Sequence, residues 1–310
     1  MKQLLYLEPV LRDMIWGGTG LAEFGYTLTS GRVGECWGVS AHKNGCCTVR
    51  GGRYDGRRLD ELWREEPALF GDHADNAEFP LLVKIIDAQD DLSIQVHPDD
   101  AYANVHENGA MGKTECWYVL KAEEGASIII GHNAKTPEEL RAMITEGRFS
   151  DLIREIPVKA GDFFQIEPGT VHAIKRGTML FETQESSDIT YRLYDYDRLQ
   201  NGVKRPLHID QSLAVIKVPF EPMHIEPEVR NAEDAVITKY VDCRFYTVYK
   251  VEVNGAATIP LSGMFHTASI IEGEGYLDGS LVKKGDHLIL SAGYGETRAV
   301  GHFTAIVTRV

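Results

Sequence analysis

Four side chains able to bind a metal recur in a suggestive order. The stretch "LSIQVHP" sets Gln95 and His97 two apart, "GKTECWYVL" brings Glu115 next, and "PGTVHAI" supplies His172 just after a Pro-Gly turn. Side chains alternate along an extended chain, so Ser93, Gln95 and His97 share one face while Ile94 and Val96 occupy the other. The apolar pair can pack, whereas a polar row inside a β protein is costly unless a ligand satisfies it. Two imidazole nitrogens, a carboxylate oxygen and an amide oxygen suit zinc or another divalent first-row ion. A donor set without thiolate more often leaves a coordination position for water or substrate, which points to catalysis.

Three cations accompany this set. Lys84 interrupts the apolar run "LLVKIIDA", Lys113 precedes Glu115 by two, and Arg192 lies in "TYRLYDYDR". If residues 113–115 are extended, Lys113 and Glu115 share a face and an ammonium sits beside the metal ligands, where it would help to hold an anion. Lys84 has a plainer reading as an edge-strand residue whose amine reaches water. Arg192 has one as the ion-pair partner of Asp195 or Asp197.

The elements that must carry these residues are mostly short β-prone runs cut by Gly, Pro or Asn, the rhythm of an antiparallel barrel or sandwich. Within it, two ligands on one strand, then a carboxylate, then a histidine after a turn is the spacing of a cupin-type metal site. A helix is expected over "TPEELRAMITEGRFSDLIREIP", with Thr136 as cap, Pro137 at the first position and Leu140, Ile144, Leu152 and Ile153 as its apolar positions. Shorter helices are expected in "RRLDELWREEPALFG" and "PLHIDQSLAVIKV". Asp99 and Asp100 suit the start of another. The acidic, proline-containing residues 219–235 read as a linker between a domain over 1–218 and one over 236–310. "GDHLILSAGYGETRAV" can be laid over "GDFFQIEPGTVHAI" with Gly285 on Gly161 and Asp286 on Asp162. That implies a diverged repeat in which Glu296 replaces His172 and no metal site remains. A turn followed by an apolar strand could also produce this likeness by chance.

A net charge of -14 repels phosphate backbones and anionic lipid over most of the surface, so neither nucleic acid nor membrane is an expected partner. A small anion remains possible where a few inward cations dominate locally. No run approaches a membrane span, and the first residues lack the features of a secretory signal. Five cysteines without CxxC spacing read as reduced thiols of a cytoplasmic protein.

Several of these stretches together resemble the short bacterial form of the type I mannose-6-phosphate isomerases: "PLLVKIIDAQDDLSIQVHPDDAYA", "GKTECWYVL", "PGTVHAI", "YRLYDYDR", "WGG" at residues 16–18 and "GECWGVSAH" at 34–42. The resemblance implies a mainly β fold of two cupin-type jelly-roll barrels with a few helices, the second barrel degenerate. It implies a metal-dependent isomerase that interconverts mannose 6-phosphate and fructose 6-phosphate through an enediol or enediolate. One Zn2+ per chain, or another divalent first-row ion, would be held by Gln95, His97, Glu115 and His172. Arg192 would be the catalytic arginine, and Ser93, Lys84 and Lys113 would line the substrate pocket, with Lys113 and Ser93 as the anchor of the phosphate. The partner would be a phosphosugar, and the chain a monomer or weak homodimer. Gly38 departs from the pattern, which carries an acidic residue at that point. Two competing readings are a sugar-binding cupin without catalysis and an iron-dependent cupin oxygenase.

Overall fold

The computed structural model describes residues 2–71 and 78–310. Three sheets dominate. One of five strands runs in the order Ile153–Pro157, Ser127–His132, His172–Ile174, Ile94–Val96, Tyr191–Tyr194. One of seven runs Phe163–Ile166, Glu115–Ala122, Thr178–Glu185, Leu81–Ala88, Val33–His42, Val10–Gly18, with Gly45–Cys46 paired to Val33–His42. All the strand pairs of these two sheets are antiparallel.

The alternation explains how the sheets stack. Ile128 and Ile174 from the first sheet and Ile86, Trp117, Val119 and Leu180 from the second form one buried cluster, so these two faces meet. Ile94, Val96, Ile129 and Ala173 point the other way and are covered by the helices Pro137–Thr145 and Ile209–Val215. The opposite face of the seven-stranded sheet, with Cys36, Val83, Ile85, Cys116 and Phe181, packs on Tyr246, Val248, Phe265, Ile289 and Ile306 of the C-terminal region. The expected mainly β cupin fold is therefore present, built from open sheets: in none does the last strand pair back onto the first.

The third sheet has nine strands and includes both ends of the chain. Its order is Glu228–Ala232, Ala235–Asp242, Thr247–Leu261, Gly295–Arg309, His266–Leu277, His287–Leu290, Leu4–Glu8, Thr48–Arg50, with Ser280–Lys283 paired to His266–Leu277. Of residues 219–235, those from 219 to 227 carry no regular element and 228–232 form its edge strand.

The long helix expected over residues 136–157 is broken. Thr136 does cap, accepting from the Glu139 N–H, but the helix Pro137–Thr145 stops where Gly147 takes φ +68°, and only Phe149–Leu152 resumes it. Ile153 begins a strand paired to His132, because the sheet edge offers the backbone a ladder that a helix would forgo. The other helices form at Leu59–Glu65, Ile209–Val215 and Asp100–His106, the last capped by the Asp99 side chain accepting from the Tyr102 N–H. No helix among the described residues is long and apolar enough to cross a membrane, and all five cysteines are unpaired.

The repeat is visible bond by bond. Gly161 and Gly285 both take φ +92°. The Lys159 N–H donates to Asp162 Oδ2 and the Lys283 N–H to Asp286 Oδ2, each at 2.9 Å. The Gly161 N–H bonds Val119 O as the Gly285 N–H bonds Ile270 O, and the Thr170 N–H bonds Glu167 O as the Tyr294 N–H bonds Ser291 O. The pairings Ile166↔Glu115 and Leu290↔His266 then place His266 where the first copy has Glu115. His172↔Gln95 and Glu296↔Pro260 place Glu296 and Pro260 where it has His172 and Gln95.

Candidate metal centre and its surroundings

Two rows of side chains face each other between the five- and seven-stranded sheets. Gln95 is the cross-strand partner of His172 on one side and of Arg192 on the other, so all three lie on one face. Opposite them, the register Trp117↔Glu182↔Lys84↔Trp37 makes a second row, with Glu115 two residues before Trp117 on the same face. His97 follows the strand Ile94–Val96, and its carbonyl accepts from the Gly169 N–H in the turn that delivers His172. Only glycine fits there: φ is +84°, and a Cβ would lie 2.7 Å from Val215 O.

The rows converge on a cluster of lone pairs. His97 Nδ1 lies 2.7 Å from Ile189 O and His172 Nδ1 2.9 Å from Thr170 O. A carbonyl can only accept, so both Nδ1 atoms carry the proton and both Nε2 atoms present a lone pair. Those two Nε2 atoms are 3.1 Å apart, with Glu115 Oε2 3.6 Å from one and Glu115 Oε1 3.4 Å from the other. Three acceptors thus converge in a fully buried space, and neither Glu115 oxygen has a well-directed hydrogen bond. A divalent cation satisfies such a set, and His97, Glu115 and His172 form a site for one. Gln95 Nε2 lies 3.2 Å from His172 Nε2 while its Oε1 accepts from Ser93 at 3.3 Å, and a half-turn of the amide would present the oxygen instead.

Burial governs the electrostatics. It pushes both imidazoles down, His172 to about 4 and His97 well below its ordinary value, with Lys113 adding to the effect; both are neutral ligands at physiological pH. Burial also pushes Glu115 up, to about 7, against the pull of Lys113, whose Nζ lies 2.7 Å from Glu115 Oε2 and 3.2 Å from His97 Nε2. For Glu182, burial would raise the pKa, but the Lys84 and Lys113 ammoniums outweigh it and hold the group ionised at about 2.

The cations sit differently from their plainer readings. Lys84 is on an interior strand, 6% exposed, paired to Glu182 at 3.0 Å and 5.5 Å from the Trp37 ring. It is no edge-strand lysine reaching water. Arg192 makes no ion pair among the described residues, because Asp195 is taken by Arg198 and Arg205 and Asp197 by Lys204. Its Nε is buried without a partner. Sequence reasoning missed Glu182, which also accepts from Trp117 Nε1 at 3.1 Å, and Glu35, which accepts from Trp37 Nε1 at 2.6 Å. Two lone charges of opposite sign, each inside an apolar run, were the available signal for the Lys84–Glu182 pair. Gly38 lies at a β-bulge, where the ladder shifts between Trp37 and Val39, and the space of its missing side chain is filled by the His287 ring, 2.2 Å from an ideal Cβ.

Comparison with known proteins agrees along the whole chain. Residues 4–131 match the family model "Phosphomannose isomerase type I, catalytic domain" and residues 236–310 match "Mannose-6-phosphate isomerase, cupin domain". The chain is 47% identical to mannose-6-phosphate isomerase ManA of Bacillus subtilis, over 99% of this chain and 98% of that protein. It is also 47% identical to the mannose-6-phosphate isomerase of Streptococcus mutans, over 94% and 93%. The crystal structure of the mannose 6-phosphate isomerase from Bacillus subtilis superposes with a TM-score of 0.97 at 42% identity, covering 99% of both chains.

Proposed function

Because the chain belongs to the type I phosphomannose isomerase family, we propose that it interconverts D-mannose 6-phosphate and D-fructose 6-phosphate, with one zinc ion held by His97, Glu115, His172 and the amide oxygen of Gln95. The observation that carries this reading is the buried convergence of two Nε2 lone pairs and an under-bonded carboxylate beside Lys113 and an unpaired arginine.

The reaction moves a proton between C1 and C2 while the two oxygens exchange alcohol and carbonyl character, and negative charge develops on oxygen in the enediolate. A bound divalent ion supplies Lewis-acid polarisation of a sugar oxygen. Arg192 presents a guanidinium with no competing carboxylate, suited to stabilising the enediolate oxygen in a water-poor site. Lys113 is tied to Glu115, so we assign it to the reacting end of the sugar, where its ammonium donates to a substrate oxygen, in place of a remote phosphate anchor. Ser93 orients Gln95 and offers a hydroxyl to the substrate. Lys84 and Glu182 form a buried ion pair in the same row as Glu115, which fixes the local potential. The substrate class is a phosphosugar. The sugar-binding and oxygenase readings gain no support from the full-length relatives cited above, which carry isomerase names.

A coupled assay of fructose 6-phosphate formation tests the reading on metal-stripped protein before and after zinc is restored. Activity that vanishes and returns is expected. Folded, zinc-loaded protein without turnover would overturn it.

A further inference from the structure

The turn after Arg192 is built around a second buried carboxylate. Asp195, 5% exposed, accepts from Arg205 through Nε at 2.8 Å and Nη2 at 2.5 Å, and from Arg198 Nη2 at 2.7 Å. The bidentate arginine contact is among the stronger ion-pair geometries available to a carboxylate. Tyr196 and Asp197, which follow, both take φ +56°. That conformation costs a non-glycine residue about 1–3 kcal/mol and persists only where its surroundings impose it. Here the Arg198 N–H closes the turn onto Asp195 O at 3.1 Å, and the Arg198 guanidinium donates to the backbone carbonyl of Asp91, tying the turn to the segment just before Ser93.

Asp195 follows Arg192 by three residues and lies within its electrostatic reach: burial and Arg205 depress the Arg192 pKa while Asp195 pulls against them. No other carboxylate in the turn is free to engage Arg192, since Asp197 is held by Lys204 at 2.5 Å. Arg192 Nε is buried without a partner, and a carboxylate released three residues further along the same strand end would be drawn to the guanidinium and compete with any substrate anion.

We propose that Arg205 and Arg198 are positioning residues that hold Asp195 away from Arg192, keeping its guanidinium open for the negative charge of the substrate. This rests on the reading of Arg192 as the residue that meets that charge.

The test is a mutant cycle assayed for isomerisation of mannose 6-phosphate, with metal content measured alongside. Arg205→Gln is expected to lower kcat/KM by about 10–100-fold at unchanged metal content, and Asp195→Asn by less than about threefold. The double variant Arg205→Gln/Asp195→Asn is expected to return to within about fivefold of the native value, because the competing carboxylate is gone. A purely structural clamp gives the reverse pattern: Asp195→Asn as damaging as Arg205→Gln, and a double variant no better than either. That pattern, or an Arg205→Gln enzyme of native activity, overturns the proposal. Arg198→Gln, which removes one of the three bonds to the Asp195 carboxylate instead of two, gives a milder series with the same logic should Arg205→Gln not fold. Arg192→Ala in the same assay separates the layers. Near-native turnover there defeats the reading of Arg192 and this proposal with it, whereas collapse there without rescue in the double variant defeats the proposal alone.

Discussion

The chain contains one strand-turn-strand unit twice, and the two copies use the same backbone for opposite ends. In the first, Glu115, His172 and Gln95 face a cleft between two sheets; in the second, His266, Glu296 and Pro260 hold the corresponding places. Proline offers no ligand, Glu296 is exposed, and the inner face is closed by Ala268, Ile270, Leu288, Leu290, Tyr294 and Phe303. The first copy instead buries two lysines, two histidines and two glutamates along one cleft, each answered by a partner or left with a lone pair facing its neighbours. The hydrogen bonds of the turn are indifferent to this choice. The framework is kept by backbone bonds, and the chemistry is set by a handful of side chains on one face.

The comparison breaks most severely if the first copy is given a residue of the second. His172→Glu should abolish tight metal binding and lower turnover by more than about 10³-fold, because a carboxylate replaces a neutral ligand in a set that already has one. The reciprocal Glu296→His should leave metal analysis at one ion per chain, and a second ion there would refute the account of the second copy.

Next in size is the contrast between a buried polar row and an apolar one. Glu182→Gln strips Lys84 of its nearest anion and should destabilise the fold by about 3–5 kcal/mol in urea unfolding. Leu288→Met in the second copy should cost less than about 1.5 kcal/mol. Similar losses would mean that the ion pair contributes no more than ordinary packing.

A smaller effect is expected where the two copies touch. Gly38→Ala drives a methyl group into the His287 ring and should cost about 1–3 kcal/mol, with part of the loss recovered in Gly38→Ala/His287→Ala. No recovery would show that the bulge, and not the imidazole, excludes a side chain.

Acid probes the same contact. Burial lowers His287 to about 3, with Tyr26 Oη 2.8 Å and Ser269 Oγ 2.7 Å from its nitrogens and the Cys36 thiol nearby. The folded state holds it neutral while the unfolded state protonates near its ordinary value of about 6.5. Its contribution is complete above that pH and is lost as pH falls towards 3, by up to about 1.4 kcal/mol per unit. His287→Gln should flatten this part of the stability-pH curve, and an unchanged slope would assign it to other groups.

How far the sequence reached follows from the range of each interaction. Gln95 and His97 stand out because strand alternation puts a polar row where a packed interior expects apolar residues, and the order of Glu115 and His172 behind them points to the cluster of His97, Glu115 and His172. Glu182 does not stand out, since its meaning depends on lying opposite Lys84 on the neighbouring strand, a register no local pattern encodes. The helix after Thr136 ran too long on paper because periodicity cannot weigh Ile153 against a sheet edge. Gly38 stood out as a departure from the family pattern, but its cause, His287, lies in the other copy.

The strand Leu4–Glu8 is hydrogen-bonded between Thr48–Arg50 and His287–Leu290, so the sheet of the second copy is assembled from segments more than 200 residues apart in sequence. On the ribosome, this strand must wait unpaired on that side until residues 287–290 have been made. The contact is of the long-separation kind that slows folding. A cut near residue 220 would leave both fragments with an open sheet edge, and the two copies, though repeats in design, should fold as one cooperative unit.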